Sequence, residues 1–177
     1  MAGIGQSLRM DLTLSVSEDR FTEALESWAW IGLDDKRPVL SSLFGDMFFE
    51  SEGGCWYLDL VAGTIDLLWP ERGSMDSVLA TADGHLRYLR SALAASAESH
   101  GIVPEAGRIY DFTKPPVLGG LIDPANLTTI DFVVGVNIAG QIHDQLRGRA
   151  GGTSVTRVMI STEREPPRRG FWRRGRG

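Results

Sequence analysis

Three neighbouring segments in the first half of the chain are rich in apolar and aromatic residues and are separated by short glycine turns. The segments are residues 46–50, 55–61 and 64–69, and the turns are 52–54 and 62–63. Aromatic and β-branched enrichment with partial alternation is typical of strands, and short turns join antiparallel neighbours. The pattern therefore predicts a three-stranded β-meander.

The segments that flank the meander carry helical patterns. Residues 10–16 alternate as a strand-like arm, and Ser17 then stands where a helix N-cap is expected. Apolar residues follow it at helical spacing: Phe21, Ala24, Leu25 and Trp28. After the meander, a short helix is predicted over 74–82 and a longer one between Asp83 as the cap and Gly101 as the C′ residue. Its apolar face is formed by Leu86, Leu89, Leu93 and Ala97.

The sequence pattern in the second half of the chain predicts three strands and one helix. We expect strands at 109–112, 127–136 and 153–161, and a helix capped by Asn137 that runs to Gly148. Hairpin-joined strands and separate helical blocks indicate an α+β fold. The prediction is a single domain over 1–162, with a largely antiparallel sheet. An N-terminal helix, a central helical pair and a C-terminal helix pack on it.

Charge is unevenly distributed along the chain. Residues 163–177 contain six arginines and two glutamates, a balance of +4, whereas residues 1–162 carry −9. We expect the Arg-rich segment to be a disordered tail; contact with nucleic acid or anionic lipid is the alternative. An acidic body argues against nucleic-acid binding by the folded part, because phosphate contacts need clustered Lys and Arg. It favours a basic partner.

Composition also bears on the compartment. Cys55 is the single cysteine, so an internal disulfide is excluded and a reducing compartment is favoured. Residues 1–16 lack the continuous apolar stretch of a signal peptide, and the longest apolar runs are too short to span a bilayer. We therefore expect a cytoplasmic protein without membrane contact.

Candidate catalytic residues are few. The three histidines, at 85, 100 and 143, form no His-Glu-x-x-His motif, and there is no cysteine pair for zinc. His143 stands next to Asp144 and is a candidate general base or metal ligand; a packed histidine is the alternative interpretation. The glycine-rich pieces lack the Lys-Ser/Thr of a phosphate loop. The sequence predicts no catalytic residue, no metal and no cofactor.

Carboxylates concentrate in the meander, where alternation places several of them on one face of the sheet. They are Asp46, Glu50, Glu52, Asp59 and Asp66. We interpret them as an acidic patch that binds a partner protein, with Trp56 or Tyr57 as an aromatic anchor. An ordinary solvated sheet face is the alternative.

One stretch resembles a known family signature. It contains Pro115-Pro116-x-Leu118-Gly119-Gly120, then Asn126, then Gly140-Gln141-Ile142-His143-x-Gln145. With Phe44-Gly45-Asp46 upstream, it is similar to the C-terminal domain of bacterial type VI secretion immunity proteins that are paired with DNase toxins. The resemblance spans roughly residues 20–160.

This resemblance implies a non-catalytic inhibitor that binds and neutralises a cognate toxin, such as a basic nuclease, by occlusion. The nine motif residues are interfacial or structural: Pro116, Leu118, Gly119, Gly120, Asn126, Gly140, Gln141, His143 and Gln145. Two alternatives stay open. One is a regulatory interaction module with a non-toxin partner. The other is a small hydrolase that uses His143 and the meander carboxylates. Oligomeric state does not follow from the sequence.

Overall fold

The predicted meander forms three consecutive strands of a five-stranded antiparallel sheet. The computed structural model describes residues 11–148 and 159–160 of the 177-residue chain. The strands of this sheet lie side by side in sequence order. They are β1 (Thr13–Leu14), β2 (Arg37–Ser42), β3 (Met47–Ser51), β4 (Gly54–Asp59) and β5 (Thr64–Trp69). Each strand pairs antiparallel with the next one along the chain; short turns join β2 to β5, whereas a helical segment connects β1 to β2.

Five helices and a small hairpin complete the described fold. The hairpin pairs β6 (Arg108–Phe112) with β7 (Leu127–Asp131). The α-helices are α1 (Glu18–Leu25), α2 (Arg72–Leu79), α3 (Ala82–Tyr88), α4 (Ser91–Ser99) and α5 (Phe132–Arg147). Short 3-10 helices occupy Glu26–Ile31, Pro116–Leu118 and Pro124–Asn126. The predicted α+β single domain with a largely antiparallel sheet is confirmed.

Helices cover both faces of the large sheet because both faces of β3 and β4 are apolar. Met47 and Phe49 point to one face, and Phe48 points to the other. The first face packs against α1 and α5 through Phe21, Ala24, Trp28, Phe132 and Val136. The second packs against α2 and α3 through Met75, Leu79, Tyr88 and Leu89. A third cluster joins α4 to the β6–β7 hairpin through Phe44, Ala94, Ala97, Tyr110, Phe112 and Leu127.

The predicted long helix after residue 83 is two helices. Arg90 separates α3 from α4 with a left-handed backbone, φ 50°, which a continuous helix does not accommodate. The cap of α3 is Thr81 rather than Asp83, since its hydroxyl accepts a hydrogen bond from the Gly84 N–H at 2.9 Å. Leu86 is 56% exposed, so it is not on the buried face. Gly101, with φ 77°, follows the end of α4 as expected.

The prediction of one buried strand over 127–136 is wrong beyond Asp131. The Asp131 carboxylate accepts a hydrogen bond from the Val133 N–H at 2.9 Å and therefore caps α5. Asn137, predicted as the cap, lies inside the helix. A short apolar run fits a buried strand and a buried helix equally well by periodicity, so capping decides between them.

Several other expectations have mixed outcomes. Ser17 directly precedes α1 in an extended conformation, but its side chain makes no capping hydrogen bond. The arm predicted over 10–16 forms only the two-residue strand β1. The strand predicted at 153–161 and the Arg-rich tail at 163–177 lie outside the described residues, except for 159 and 160. None of the helices in the described part of the chain is both long and apolar enough to cross a membrane.

Candidate functional site

The predicted acidic patch lies on the sheet face that α2 and α3 cover. Glu50 pairs across the strands with Cys55, and Asp66 pairs with Tyr57. Cys55 and Tyr57 both belong to the cluster beneath α2 and α3. The carboxylates of the strands therefore share a face, as alternation predicts. That face is packed against helices over much of its area instead of being open to solvent.

Asp46 is fully buried and bound by Arg90. The Arg90 Nε donates to Asp46 Oδ2 at 3.0 Å, and the Leu60 N–H donates to Oδ1 at 2.9 Å. Burial raises the pKa of the Asp46 carboxyl, and the Arg90 guanidinium opposes that rise. The prediction that Asp46 lies on an exposed binding surface is wrong, because its charge is neutralised inside the fold.

Asp59 belongs to the same network. Its Oδ1 accepts a hydrogen bond from Arg90 Nη2 at 2.8 Å and from the Val61 and Ala62 N–H groups at 2.8 and 2.9 Å. These bonds hold the turn between β4 and β5, in which Gly63 has φ 68°. We therefore assign Asp59 a part in shaping this turn.

Some of the other predicted partner-binding residues contact neighbouring side chains, and others are exposed without an ion pair. Glu50 forms an ion pair with Arg37 at 2.7 Å, and Lys36 Nζ lies 4.2 Å from the centroid of the Trp56 ring. Tyr57 is buried, so the alternative of an aromatic anchor at this position is wrong. Within the described residues, the patch members that are exposed and carry no ion pair are Glu52 and Asp66.

Gly140 and His143, two of the nine motif residues, are packed inside the fold. A Cβ on Gly140 would lie 2.3 Å from Ser27 Oγ and 2.8 Å from Trp28 Nε1, so only glycine lets α5 approach this close. Trp28 Nε1 donates to the Val136 carbonyl at 2.8 Å and ties the 3-10 helix after α1 to α5.

The His143 ring makes a defined hydrogen bond. Its Nε2 lies 2.9 Å from the Leu60 carbonyl oxygen, which requires a proton on Nε2. Burial lowers the pKa of His143, and the Leu60 carbonyl opposes that change. Nδ1 packs against Gly63, where an added Cβ would lie within 2.3 Å. This arrangement is that of a packed histidine whose charged form is disfavoured by burial.

Gln141 and Gln145 make hydrogen bonds along the same helix. Gln141 Nε2 donates to Asn137 Oδ1 at 2.8 Å. The Gln145 amide pairs with the Met159 backbone, accepting from its N–H at 3.0 Å and donating to its carbonyl at 2.5 Å. Gln145 therefore holds residue 159 against α5.

The remaining motif residues build a rigid loop between β6 and β7. Asn126 Oδ1 accepts from the Lys114 N–H at 2.9 Å, and Asn126 Nδ2 donates to the Lys114 and Leu121 carbonyls at 2.8 Å each. Gly119 has φ 84°, and a Cβ on Gly120 would lie 1.8 Å from the Lys114 carbonyl oxygen. Pro116 and Leu118 form the 3-10 turn that precedes these glycines. These contacts thus fix the backbone conformation of the loop.

A cavity of about 60 Å³ opens between this loop, β6 and α5. Its walls are mostly apolar, and they include Phe44, Tyr110, Pro116, Val117, Ile138 and Ile142. The side chains of Asp111 and His143 also line it. Burial raises the pKa of Asp111, and a hydrogen bond from the Phe112 N–H opposes that rise. Sequence reasoning missed Asp111, because a lone acid in a short strand carries no motif.

The site contains no grouped metal ligands among the described residues, where no three His, Cys, Asp or Glu side chains cluster. The structure aligns with the crystal structure of Atu4351 from Agrobacterium tumefaciens at 17% sequence identity and a TM-score of 0.41. The alignment covers 72% of this chain and 65% of that one. No protein-family model and no curated protein matches the sequence.

Proposed function

We propose that this chain is an immunity-like protein that binds a basic toxin and neutralises it by occlusion. The observation that carries the proposal is the charge of residues 11–148, which the structure describes. Residues 11–148 contain 21 Asp and Glu but nine Lys and Arg, which leaves −12. Such a surplus attracts a basic protein over long range and raises the rate of association.

Ion pairs engage most of the Lys and Arg side chains among the described residues. Six of the nine cations form ion pairs: Arg20, Lys36, Arg37, Arg72, Arg90 and Arg147. A seventh, Arg108, donates to the Thr129 carbonyl at 2.6 Å. The surplus carboxylates are therefore not neutralised within the fold, and a partner with exposed Lys and Arg would complement them.

A nuclease toxin fits this charge because it must present a positive surface to DNA. The family resemblance supports the same partner class. The exposed carboxylates of Glu52 and Asp66 contribute to the field that guides the encounter. The proposed place of action is the cytoplasm, where an incoming nuclease reaches DNA. No catalysis and no cofactor are part of the proposed role, because occlusion needs only a stable complex.

Co-expression with the product of the neighbouring gene, which the proposal requires to be a toxin, tests the proposal. We expect relief of toxicity and co-purification of the two proteins. With a catalytically inactive toxin, the association rate constant should fall at least about tenfold between low and high salt, because the attraction is screened. Unrelieved toxicity together with no co-purification would show that the proposal is wrong.

A charge-matched pair of variants tests whether the meander acids take part. Glu52→Lys with Asp66→Lys changes the net charge by the same amount as Glu98→Lys with Glu105→Lys, and all four residues are exposed. We expect the first pair to slow association several-fold more than the second. Equal effects would mean that net charge alone guides the encounter.

A further inference from the structure

The loop between β6 and β7 exposes three large apolar side chains. Val117 is 41% exposed, Leu121 73% and Ile122 55%. Single exposed apolar residues are common on protein surfaces, but several on one loop, here residues 113–126, point to a binding surface. On α5, Val134 is 41% exposed and lies one turn before Ile138, which lines the cavity beside the loop. Apolar surface therefore continues from the loop onto the helix.

This loop is already in a fixed conformation. The three hydrogen bonds of Asn126 close it at its base, and the Gly120 N–H donates to the Pro115 carbonyl at 3.1 Å. A binding surface that is ordered before the encounter loses little conformational entropy on association. The exposed apolar side chains are thus presented by a backbone that does not have to reorganise.

The cavity beside the loop adds an unneutralised acid. Asp111 lines the cavity, is half-buried, and forms no ion pair with any Lys or Arg of residues 11–148. A partly desolvated carboxylate gains from a cation more than a fully hydrated one does. The site therefore combines apolar walls with one position that fits a guanidinium or ammonium group.

We propose that Val117, Leu121, Ile122 and the cavity lined by Asp111 form an anchor surface for a segment of the basic partner. That segment has an apolar side chain next to an Arg or Lys. The inference rests on the proposed function and locates its contact. A second copy of this chain fits less well, because two chains of net charge −5 repel each other. The anchor surface replaces the buried Asp46 and Tyr57 as the centre of the predicted interface.

Peptide titration tests the anchor surface without any toxin. The probes are acetylated hexapeptides with Leu-Arg at the centre, and the controls carry Leu-Glu or Gly-Arg. We expect saturable NMR shifts at Val117, Gly120 and Ile142, with a Kd of about 1 mM for Leu-Arg and at least about tenfold weaker binding of both controls. No shift at about 10 mM peptide, shifts elsewhere, or equal affinity for Leu-Glu would overturn the proposal.

Variants tested against the inactive toxin separate the two proposals. Val117→Asp and Leu121→Asp should each weaken binding at least about tenfold, mostly through faster dissociation, and Asp111→Asn by about tenfold. Val103→Asp is the matched control, since Val103 is 57% exposed and lies outside the cavity. This variant should bind the inactive toxin with unchanged affinity. Thermal unfolding checks that each variant is folded. If the unmodified chain does not bind, the proposed function fails; if it binds and all three variants bind equally well, only the anchor surface fails.

Discussion

Arg90 and Asp46 form a buried ion pair that links the break between α3 and α4 to the start of β3. Among the described residues, Arg90 is the only non-glycine residue with a positive φ, at 50°. Its guanidinium contacts Asp46 at 3.0 Å and Asp59 at 2.8 Å. A left-handed arginine is strained by about 1–3 kcal/mol. The two carboxylates offset that strain by holding the side chain on both sides.

Removal of this guanidinium should strongly destabilise the fold. Arg90→Ala leaves the Asp46 carboxylate buried without a cation, and we expect a loss of about 3–5 kcal/mol in the free energy of unfolding. Urea denaturation measures it. The control is Arg72→Ala, which removes an exposed i,i+4 pair with Asp76 and should cost less than about 0.5 kcal/mol. Equal losses in the two variants would contradict a structural role for the Arg90 network.

Gly140→Ala should destabilise the packing of α5 on the 3-10 helix. The added methyl group would meet Ser27 Oγ and Trp28 Nε1, and we expect a cost of about 1–3 kcal/mol. Gly73→Ala is the matched control, because a Cβ there meets nothing within 4 Å and Gly73 lies inside α2. Alanine should stabilise that helix by about 0.5–1 kcal/mol. The two substitutions should therefore shift the urea midpoint in opposite directions.

His143 should make stability depend on pH in mildly acidic solution. Burial holds its pKa below the ordinary value of 6.5, so the unfolded chain binds this proton first. The contribution of the His143 ring to the free energy of unfolding is fully present above pH 6.5. It is lost as pH falls toward the lower pKa of the folded state. The slope is at most about 1.4 kcal/mol per pH unit.

A His143→Gln variant isolates this contribution. Glutamine has an N–H that can donate to the Leu60 carbonyl, but it does not titrate. The free energy of unfolding of the variant should therefore change less between pH 7.5 and 5 than that of the unmodified chain. Buried Asp46 and Asp111, whose pKa values are raised, act in the opposite direction in both proteins. They therefore cancel in the difference. Parallel stability profiles for the two proteins would contradict the prediction.

Asn126→Ala should loosen the loop between β6 and β7. The substitution removes the amide that bonds the Lys114 N–H, the Lys114 carbonyl and the Leu121 carbonyl, and we expect a cost of about 1–2 kcal/mol. Amide hydrogen exchange at Lys114 and Gly120 should become faster. Thr128→Ala on the neighbouring exposed position of β7 is the control and should leave exchange in the loop unchanged. Unchanged exchange in Asn126→Ala would mean that the loop is held by other contacts.

Elements whose signals are local were predictable from the sequence. The meander follows from aromatic alternation and two glycine turns, and Gly101 follows from the need for positive φ at the end of α4. Charge asymmetry is also a property of composition. The boundary at Asp131 was missed because an apolar run that is buried all along has no distinct period, and its capping bond is visible only in three dimensions.

The candidate site was less predictable, because it depends on which elements lie opposite each other. Alternation assigns the meander carboxylates to one face of the sheet, but tertiary packing buries Asp46 against Arg90 and leaves Asp66 exposed at the edge strand. Sequence periodicity reports which side chains share a face and contains no information about what covers it. The contacts of Arg90, 44 and 31 positions along the chain from its two carboxylates, arise from the tertiary fold. So does the placement of Asp111 in a cavity against α5, since burial and charge pairing depend on distances that local sequence does not encode.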